Sequence, residues 1–490
     1  MQLKVKKLKF LAGRPVCMIH KDIAKELSLH VGRRVSLKNK NKTIIAITDI
    51  ISDGFLNPNQ IAVSEIIIKK LNLKLGDKIE VGLIERPRSI DLIKKKLTGS
   101  KLEKKEIFEI INDIADNSLT EIETAFFVSA VHDKGMNLEE TKHLINAMVK
   151  SGKQLRVNGK VVDKHSIGGI AGNRTTPIVV AICSSTGLVM PKTSSRAITS
   201  AAGTADVIET IAKIDYSIKE IKRIIKKTNA CMVWGGALGL APVDDKIIKI
   251  ERIIKIDSTA QLLASILSKK ISVGSKYIVI DIPYGRSAKV NRKKAEGLKQ
   301  KFLKLGKIFD LKLDVILTDG REPIGNGIGP VLELKDIFNV LRRKESPKDL
   351  EKKSVLLSGR ILELSGKAKK GKGIEMAQEI LDSGKAYKQF EKIIKAQQGN
   401  MNHLPKPKHK FIIRAKRNIK IKHIGNKLIN DLARHAGCPE DKAAGIYLHK
   451  KKGEVVEKGK PIMTLYAISK EKLNYAKKFY NKNKKHVIEY

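Results

Sequence analysis

Aromatic residues and cysteines are scarce in this chain of 490 residues, and each shortage argues against a class of protein. Phe, Tyr and Trp make up 4% of the chain, which leaves few rings to stack on unpaired bases. The four cysteines, Cys17, Cys183, Cys231 and Cys438, lie far apart and form no CxxC pair. That spacing argues against a disulfide framework or a cysteine-type zinc site, and we expect buried free thiols.

Long apolar runs are also missing. No stretch of about 18 uncharged apolar residues occurs, so the sequence predicts no membrane span. The first eleven residues carry lysine at every second or third position instead of the continuous apolar run of a secretory signal. We therefore expect a cytoplasmic protein.

Acidic residues are outnumbered, with 51 Asp and Glu against 97 Lys and Arg, and the formal net charge is +46. A charge of this size raises nucleic-acid binding as one hypothesis. The lysines are spread over the whole length without a dense tail, and a solvated lysine-rich surface with an anionic small-molecule substrate explains the same charge. The hydrophobic fraction of 42% is typical of a globular protein.

The pattern of apolar residues divides the chain into modules of an α/β multidomain protein. Residues 1–87 alternate short apolar runs with turn signals and predict a β-rich module. Residues 88–152 have the apolar spacing of amphipathic helices. Residues 153–404 alternate strand-like runs, polar loops and helices, which predicts an α/β domain with ligands at the carboxyl ends of its strands. After the Pro- and Lys-rich LPKPKHK, residues 405–490 form a C-terminal α/β module.

Residues 163–176, DKHSIGGIAGNRTT, form the densest cluster of small and hydroxyl-bearing residues after a strand-like run. Gly168 and Gly169 allow backbone N–H groups to approach an anion closely. Lys164 supplies charge, and the hydroxyl groups of Ser166, Thr175 and Thr176 are donors for phosphate oxygens. A tight turn that packs a helix on a sheet remains the alternative for this segment.

Residues 193–204, TSSRAITSAAGT, repeat the arrangement of strand, hydroxyl-rich loop and helix start. A helix N-terminus of this kind binds anions, and Arg196 has the forked geometry that matches a phosphate. Two such loops in one α/β domain suit two anionic groups, or a phosphate and a sugar.

A third segment, residues 256–270, places Asp257 just before an amphipathic helix. Capping of that helix by Asp257 or Ser258 is one interpretation, and protonation of a leaving base by the Asp257 carboxyl is the other. Ser265 and Lys269 share one helix face. Two competing motifs fail, because Gly373 stands where a P-loop at residues 366–373 needs Ser or Thr, and residues 325–329 (GNGIG) are interpreted as a turn.

These segments together resemble one known family. SSRAITSAAGTADVIE is similar to the signature of the thymidine and pyrimidine-nucleoside phosphorylases, DKHSIGG resembles that family's phosphate loop, and LLASILSKK resembles its base-site helix. The form RAITSAAGTAD, with the extra N-terminal module, is more similar to the archaeal AMP phosphorylase branch. The likeness extends to TDGREPIGNGIGP and to the terminal KKGEVVEKGKPI.

The resemblance implies a pentosyltransferase without a cofactor or metal. Inorganic phosphate would attack the anomeric carbon of AMP, CMP or UMP and release a free base and ribose 1,5-bisphosphate. The resemblance also implies that residues 243–272 join residues 88–152 in a helical domain, whose closure on the α/β domain brings the substrates together. A homodimer is implied, and the N-terminal module is a candidate for building larger assemblies; neither nucleic acid nor a membrane is an expected partner.

The same resemblance implies roles for individual residues. Asp257 would donate a proton to the leaving base, which requires a carboxyl that stays protonated in a dry site. Orthophosphate would be held by Lys164, Ser194 and Thr204, with Ser166 of the first loop as a further candidate. The nucleotide would be contacted by Gly169, Ser195, Arg196, Ala197, Ile198, Thr199, Ser200, Thr204, Ser265 and Lys289.

The chain departs from the nucleoside enzymes where they carry SGRGLGHTGGT. Ser200 replaces a His, Ala197 and Thr199 replace glycines, and the first loop is one residue longer. The Arg that grips a pyrimidine in those enzymes has no counterpart in register, although Arg252 is nearby. These differences favour a nucleotide substrate over an unphosphorylated nucleoside, and a thymidine or uridine phosphorylase is the alternative.

Overall fold

The computed structural model describes residues 1–7, 14–52, 54–197, 200–254 and 256–490, and at position 237 it describes the backbone alone. The chain forms two compact units. The first comprises Met1–Ser151 and Pro242–Leu262, and the second comprises Gly152–Ala241 and Leu263–Tyr490. This division falls after Leu262, whereas the resemblance suggests a boundary at residue 272. No helix among the described residues is long and apolar enough to cross a membrane.

The first unit begins with a small β-barrel, which confirms that the chain starts with a β-rich module. Its elements are β1 (Gln2–Lys7), β2 (Val16–His20), α1 (Lys21–Glu26), β3 (Arg34–Asn39), β4 (Lys42–Ile51), β5 (Gln60–Val63), α2 (Glu65–Leu71) and β6 (Lys78–Leu83). The strands close in the order β1-β5-β2-β4-β3-β6. Alternate side chains, such as Val35 and Leu37 of β3, are buried in the barrel core. Closure pairs the edge strands with each other.

Helices complete the first unit: α3 (Ser89–Leu97), α4 (Lys104–Asp116), α5 (Glu121–Lys134), α6 (Leu138–Ser151) and, after a long excursion of the chain, α11 (Pro242–Ile254). Asn137 caps α6 by accepting a hydrogen bond from the Glu140 N–H at 2.8 Å, as its position predicts. Lys246 of α11 donates to the carbonyls of Ile114 and Ala115 at the end of α4. That ammonium group satisfies carbonyls that have no partner within their own helix.

The second unit contains the α/β domain. Its elements up to residue 284 are β7 (Val162–Ser166), α7 (Thr175–Ser184), β8 (Met190–Ser194), α8 (Thr204–Ile208), α9 (Ile218–Thr228), β9 (Ala230–Trp234), α10 (Gly235–Leu238), the greater part of α12 (Thr259–Ser272) and β10 (Tyr277–Tyr284). The remaining elements are α13 (Arg292–Ile308), β11 (Lys312–Asp319), β12 (Gly327–Ile328), α14 (Pro330–Leu341), α15 (Lys348–Leu364), α16 (Gly373–Asp382) and α17 (Lys385–Ala396).

Strands β7 to β11 of this domain run parallel. β11, β10 and β7 form one sheet and β8 and β9 form another, and a parallel bridge between Val161 and Val189 connects them. The loops that follow these strands therefore lie at the same edge. Every residue of α7 is buried, which fits the apolar run PIVVAIC at residues 177–183.

The C-terminal module also belongs to the second unit. Its elements are β13 (His409–Arg414), β14 (Ile419–Lys420), β15 (His423–Ile424), α18 (Asn426–His435), β16 (Gly445–Leu448), β17 (Val455–Val456), β18 (Pro461–Ala467), α19 (Lys470–Val487) and β19 (Ile488–Glu489). Its main sheet has the order β12-β16-β18-β13, so it takes in a strand from the α/β domain.

Two sequence interpretations can be compared with these elements. The turn expected at residues 325–329 is wrong in part, because Gly327 and Ile328 form β12 by pairing with Tyr447 and Ile446. The rejected P-loop at residues 366–373 follows helix α15 rather than a strand, so it lacks the context of a phosphate-binding loop. All four cysteines are free and buried, as expected.

Candidate active site

The first predicted anion loop follows β7 and depends on glycine. Gly168 and Gly169 have φ angles of 86° and 93°, in the region that L side chains rarely adopt. A Cβ on Gly169 would lie 2.9 Å from both the Cβ and the backbone N of Lys289. The structure thus brings together two residues that the resemblance assigns to the nucleotide, and only glycine permits this approach.

Lys164 is the buried cation beside this loop, with 1% of its surface exposed. Its Nζ donates to the Oγ1 of Thr175 at 2.8 Å and to that of Thr176 at 3.4 Å. Burial lowers its pKa to about 7, with the attraction of Asp281 opposing that shift. A bound anion would favour the charged form of this lysine. Ser166, also predicted to bind phosphate, is half-buried and accepts from the Gly168 N–H at 3.5 Å.

A buried ion cluster fixes the strand that carries Lys164. The carboxylate of Asp163 accepts from Lys192 Nζ of β8 at 2.9 Å and from Lys270 Nζ of α12 at 2.7 Å. Burial opposes ionisation of Asp163, but the two lysines outweigh it and hold its pKa below the usual value. Burial and the neighbouring lysines lower the pKa of His165 well below its usual range, so that imidazole is neutral.

The second predicted loop begins at the end of β8 and is closed by Asp206. One carboxylate oxygen of Asp206 accepts from the N–H groups of Ala197 and Gly203, both at 2.7 Å. The Ser194 hydroxyl donates to the Val233 carbonyl at 3.3 Å. Ser195 is half-buried, and a Cβ on Gly203 would lie 2.5 Å from the carbonyl oxygen of Ser195.

The remaining residues of that loop are described in part. The Ser200 hydroxyl donates to the Ala202 carbonyl at 2.6 Å. Ile198 and Thr199, both predicted nucleotide contacts, lie outside the described residues.

The two loops meet through Arg174. This residue follows the first loop, and its Nη1 donates to the Oγ1 of Thr204, the first residue of α8, at 2.9 Å. Its Nη2 donates to the carbonyl of Ala202, and its Nε pairs with the buried Glu333 at 2.6 Å. Lys164 and Thr204 are therefore connected through the adjacent residues 174 and 175. Both sequence-predicted anion loops lie at one place in the second unit.

Arg196 is oriented differently from the sequence expectation of a fork on phosphate. Its Nη1 and Nη2 pair with both carboxylate oxygens of Glu209, at 2.7 and 2.6 Å. Its guanidinium carbon lies 5.0 Å from the ring centroid of Trp234. Hydrogen bonds from Arg196 lower the pKa of Glu209 to about 2, although burial acts to raise it. Lys442 also acts to lower this pKa. The two N–H groups that pair with Glu209 are therefore not available for a fork on phosphate while this pair is formed.

Helix α12 carries the third predicted segment. The Ser258 hydroxyl accepts from the Gln261 N–H at 3.1 Å, so Ser258 is the cap of this helix. Asp257, in the first unit, is exposed and is not needed for that role. In the second unit, Ser265 and Lys269 are half-buried. Lys270 is buried and donates a hydrogen bond to the Asp163 carboxylate.

Sequence reasoning missed several buried polar groups at this place. The sequence pattern assigns no individual role to Arg174, Asp163, Lys192 or Glu333. The Thr193 hydroxyl is buried without a partner among the described residues, next to Ser194. An unsatisfied buried hydroxyl is a free donor for a ligand. Within the described ranges, no group of three or more His, Cys, Asp or Glu side chains is arranged to hold a metal ion.

Comparison with known families agrees with this architecture. Residues 90–152 match the family described as "Glycosyl transferase family, helical bundle domain", and residues 158–387 match "Glycosyl transferase family, a/b domain". Residues 420–486 match "Pyrimidine nucleoside phosphorylase C-terminal domain". Anthranilate phosphoribosyltransferase from Thermus thermophilus has a similar fold, with a TM-score of 0.53 and 17% identity, covering 63% of this chain and 99% of that one.

Individual relatives match over much greater lengths. A protein from Thermococcus sibiricus named AMP phosphorylase is 41% identical over 482 residues, 97% of this chain and 95% of its own. One of the same name from Methanocaldococcus jannaschii is 42% identical over 90% of this chain and 89% of its own. A relative from Tolumonas auensis, named provisionally as a thymidine phosphorylase, is 40% identical over 89% of this chain and 87% of its own. Because identity of this level extends over nearly the whole length, this chain belongs to the AMP phosphorylase family.

Proposed function

We propose that this protein is a pentosyltransferase that uses inorganic phosphate to cleave nucleoside 5′-monophosphates. AMP, CMP and UMP are the substrates, and a free base and ribose 1,5-bisphosphate are the products. The observation that carries the proposal is the convergence of the two loops on Lys164, Thr204 and Arg174. A buried lysine whose Nζ lies next to two threonine hydroxyls, on a strand that leads into a glycine-rich loop, suits a phosphate. The family relationship supports the reaction class.

In the proposed reaction, an oxygen of orthophosphate forms a bond to the anomeric carbon while the bond from that carbon to the base nitrogen breaks. The electron pair of the broken bond goes to the base, and a proton from Asp257 neutralises it. Positive charge develops on the ribose ring, and the phosphate held by Lys164, Ser166, Ser194 and Thr204 acts as nucleophile and counter-charge.

The nucleotide contacts are proposed from the family pattern. Gly169 and Lys289 approach each other closely, which supports a shared ligand for the two. The other proposed contacts are Ser195, Arg196, Ala197, Ile198, Thr199, Ser200, Thr204 and Ser265. Thr204 is assigned to both the nucleotide and the orthophosphate. No residue in this scheme needs a metal ion.

Product analysis tests the function directly. The protein is incubated with orthophosphate and, separately, with AMP, CMP, UMP, thymidine or uridine, and released base and sugar phosphate are separated by chromatography. We expect base and a bisphosphate from the nucleotides. Release of base from thymidine or uridine alone, with a monophosphate product, would favour the nucleoside phosphorylase to which the Tolumonas auensis relative points. No base from any substrate would refute both proposals.

We propose further that the protein is a homodimer. Helix α5 exposes two large apolar side chains one turn apart, Ile122 at 72% and Phe126 at 54%. Exposed apolar side chains that share one face are a candidate surface for contact with another chain. Sedimentation should give twice the chain mass, and Phe126→Asp should give a monomer. A wild-type monomer at micromolar concentration would contradict this proposal.

A further inference from the structure

One face of helix α18 in the C-terminal module carries three polar side chains. Asn426, Asn430 and Arg434 are spaced four residues apart, so they lie in a row along the helix. Asn426 and Asn430 are buried. Buried amides need hydrogen-bond partners, and the partners of this row are loops of the α/β domain within the same unit.

Asn426 joins the loops that follow three neighbouring parallel strands. Its Oδ1 accepts from the N–H of Ala171, in the loop after β7, at 3.0 Å. Its Nδ2 donates to the Ser287 hydroxyl after β10 at 2.9 Å and to the Gly320 carbonyl after β11 at 3.1 Å. One side chain thus holds the loop of Gly169 against the loop of Lys289.

The next two positions hold the loop after β8. The Oδ1 of Asn430 accepts from the Ala201 N–H at 2.9 Å, and Nη2 of Arg434 donates to the Ser200 carbonyl at 3.0 Å. The side chains of Ala171 and Ala201 are fully buried in the hydrophobic core of the C-terminal module. The row therefore sets the backbone of both anion loops with hydrogen bonds, and the two alanines anchor those loops by apolar packing.

We propose that Asn426 and Asn430 are positioning residues for the reaction, and that the C-terminal module serves as the template on which the ligand loops are arranged. This inference rests on the proposed phosphorolysis. A loop with three glycines is intrinsically permissive, so its ligand-binding shape has to be imposed by contacts outside the loop. Neither amide touches substrate, and each acts through the backbone that it holds.

The test compares Asn430→Ala with Asn430→Asp, which keeps an oxygen acceptor for the Ala201 N–H. At a temperature where all variants are folded by circular dichroism, Asn430→Ala should lower kcat/KM for AMP about tenfold to a hundredfold, because a buried N–H loses its partner. The effect should appear mainly in KM for AMP, and Asn430→Asp should restore activity to within about threefold of wild type. Arg434→Met, at a half-buried position, is the second variant if Asn430→Ala does not fold.

Asn418→Ala is the matched control, because Asn418 accepts a backbone N–H from Lys458 at 2.8 Å within the same module, away from the loops. It should leave kcat/KM unchanged. Hydrogen exchange measured by mass spectrometry should be faster for the peptide that contains Ala201 in Asn430→Ala and unchanged in the control.

The outcomes separate the two proposals. Unchanged kcat/KM in Asn430→Ala, or an equal loss in Asn430→Asp accompanied by a lower Tm, overturns the positioning role. If wild-type protein cleaves no nucleotide, the proposed function fails instead, and the exchange rates alone still decide whether α18 holds the loop.

Discussion

Replacing Asp163 with Asn should destabilise the second unit strongly, since this carboxylate is the shared partner of two buried lysines. In the wild type, one oxygen of Asp163 accepts a hydrogen bond from Lys270 Nζ at 2.7 Å. In Asp163→Asn the amide NH2 group would face that ammonium group instead. The charge attraction for Lys192 Nζ, which lies 2.9 Å from the other oxygen, would also be lost. Removing one partner of a buried ion pair costs about 3–5 kcal/mol, because the remaining charge stays desolvated. We expect a loss of this size near pH 6.

The pH dependence of that loss has a definite sign. Burial already lowers the pKa of Lys270 to about 7 with Asp163 present, and loss of the carboxylate would lower it further. The native variant then binds fewer protons than the native wild type, so its free energy of unfolding rises more steeply with pH. The deficit should therefore be largest near pH 6 and should shrink toward about pH 9.

Urea unfolding followed by the fluorescence of Trp234, the single tryptophan, measures this free energy at both pH values. Asp310→Asn is the control: Asp310 pairs with Lys276 at 2.8 Å but is 96% exposed, and its loss should leave the urea midpoint unchanged. A loss below about 1 kcal/mol for Asp163→Asn, or a deficit that grows with pH, would refute the reasoning.

Three further perturbations test the proposed site. Asp257→Asn should lower kcat about a hundredfold or more with little change in the Kd of AMP from equilibrium dialysis, because the amide has no acidic proton; equal turnover would remove Asp257 from the reaction. Gly169→Ala should raise KM for AMP about tenfold, because φ is 93° and the new Cβ would lie 2.9 Å from Lys289, and an unchanged KM would show that the loop adapts. Burial lowers the pKa of Lys164 to about 7, so its charge is present below that pH and is lost above it. KM for phosphate should rise by up to about tenfold per pH unit above 7, and Lys164→Arg should abolish that rise; a wild-type KM that falls over this range would contradict the assignment.

Much of the fold follows from signals carried by neighbouring residues. The short apolar runs between turn signals in residues 1–87 predict strands, and Val35 and Leu37 of β3 do lie in the barrel core. Asn137 followed by Glu140 predicts the start of α6, because capping involves residues three apart. The segment at residues 325–329 was misinterpreted, since β12 exists only by pairing with Ile446 and Tyr447, far away along the chain.

The order of residues along the sequence determined by itself that two glycine- and hydroxyl-rich loops follow strand-like runs. That pattern is enough to predict an anion site and to identify a resembling family. Only the tertiary structure decided that Arg196 pairs with Glu209, that Asp163 holds Lys270, and that Asn426 fastens loops from three strands. The physical reason is that a buried charge or amide must find a partner wherever the fold supplies one. Those partners are separated by up to hundreds of residues, and no local pattern identifies them.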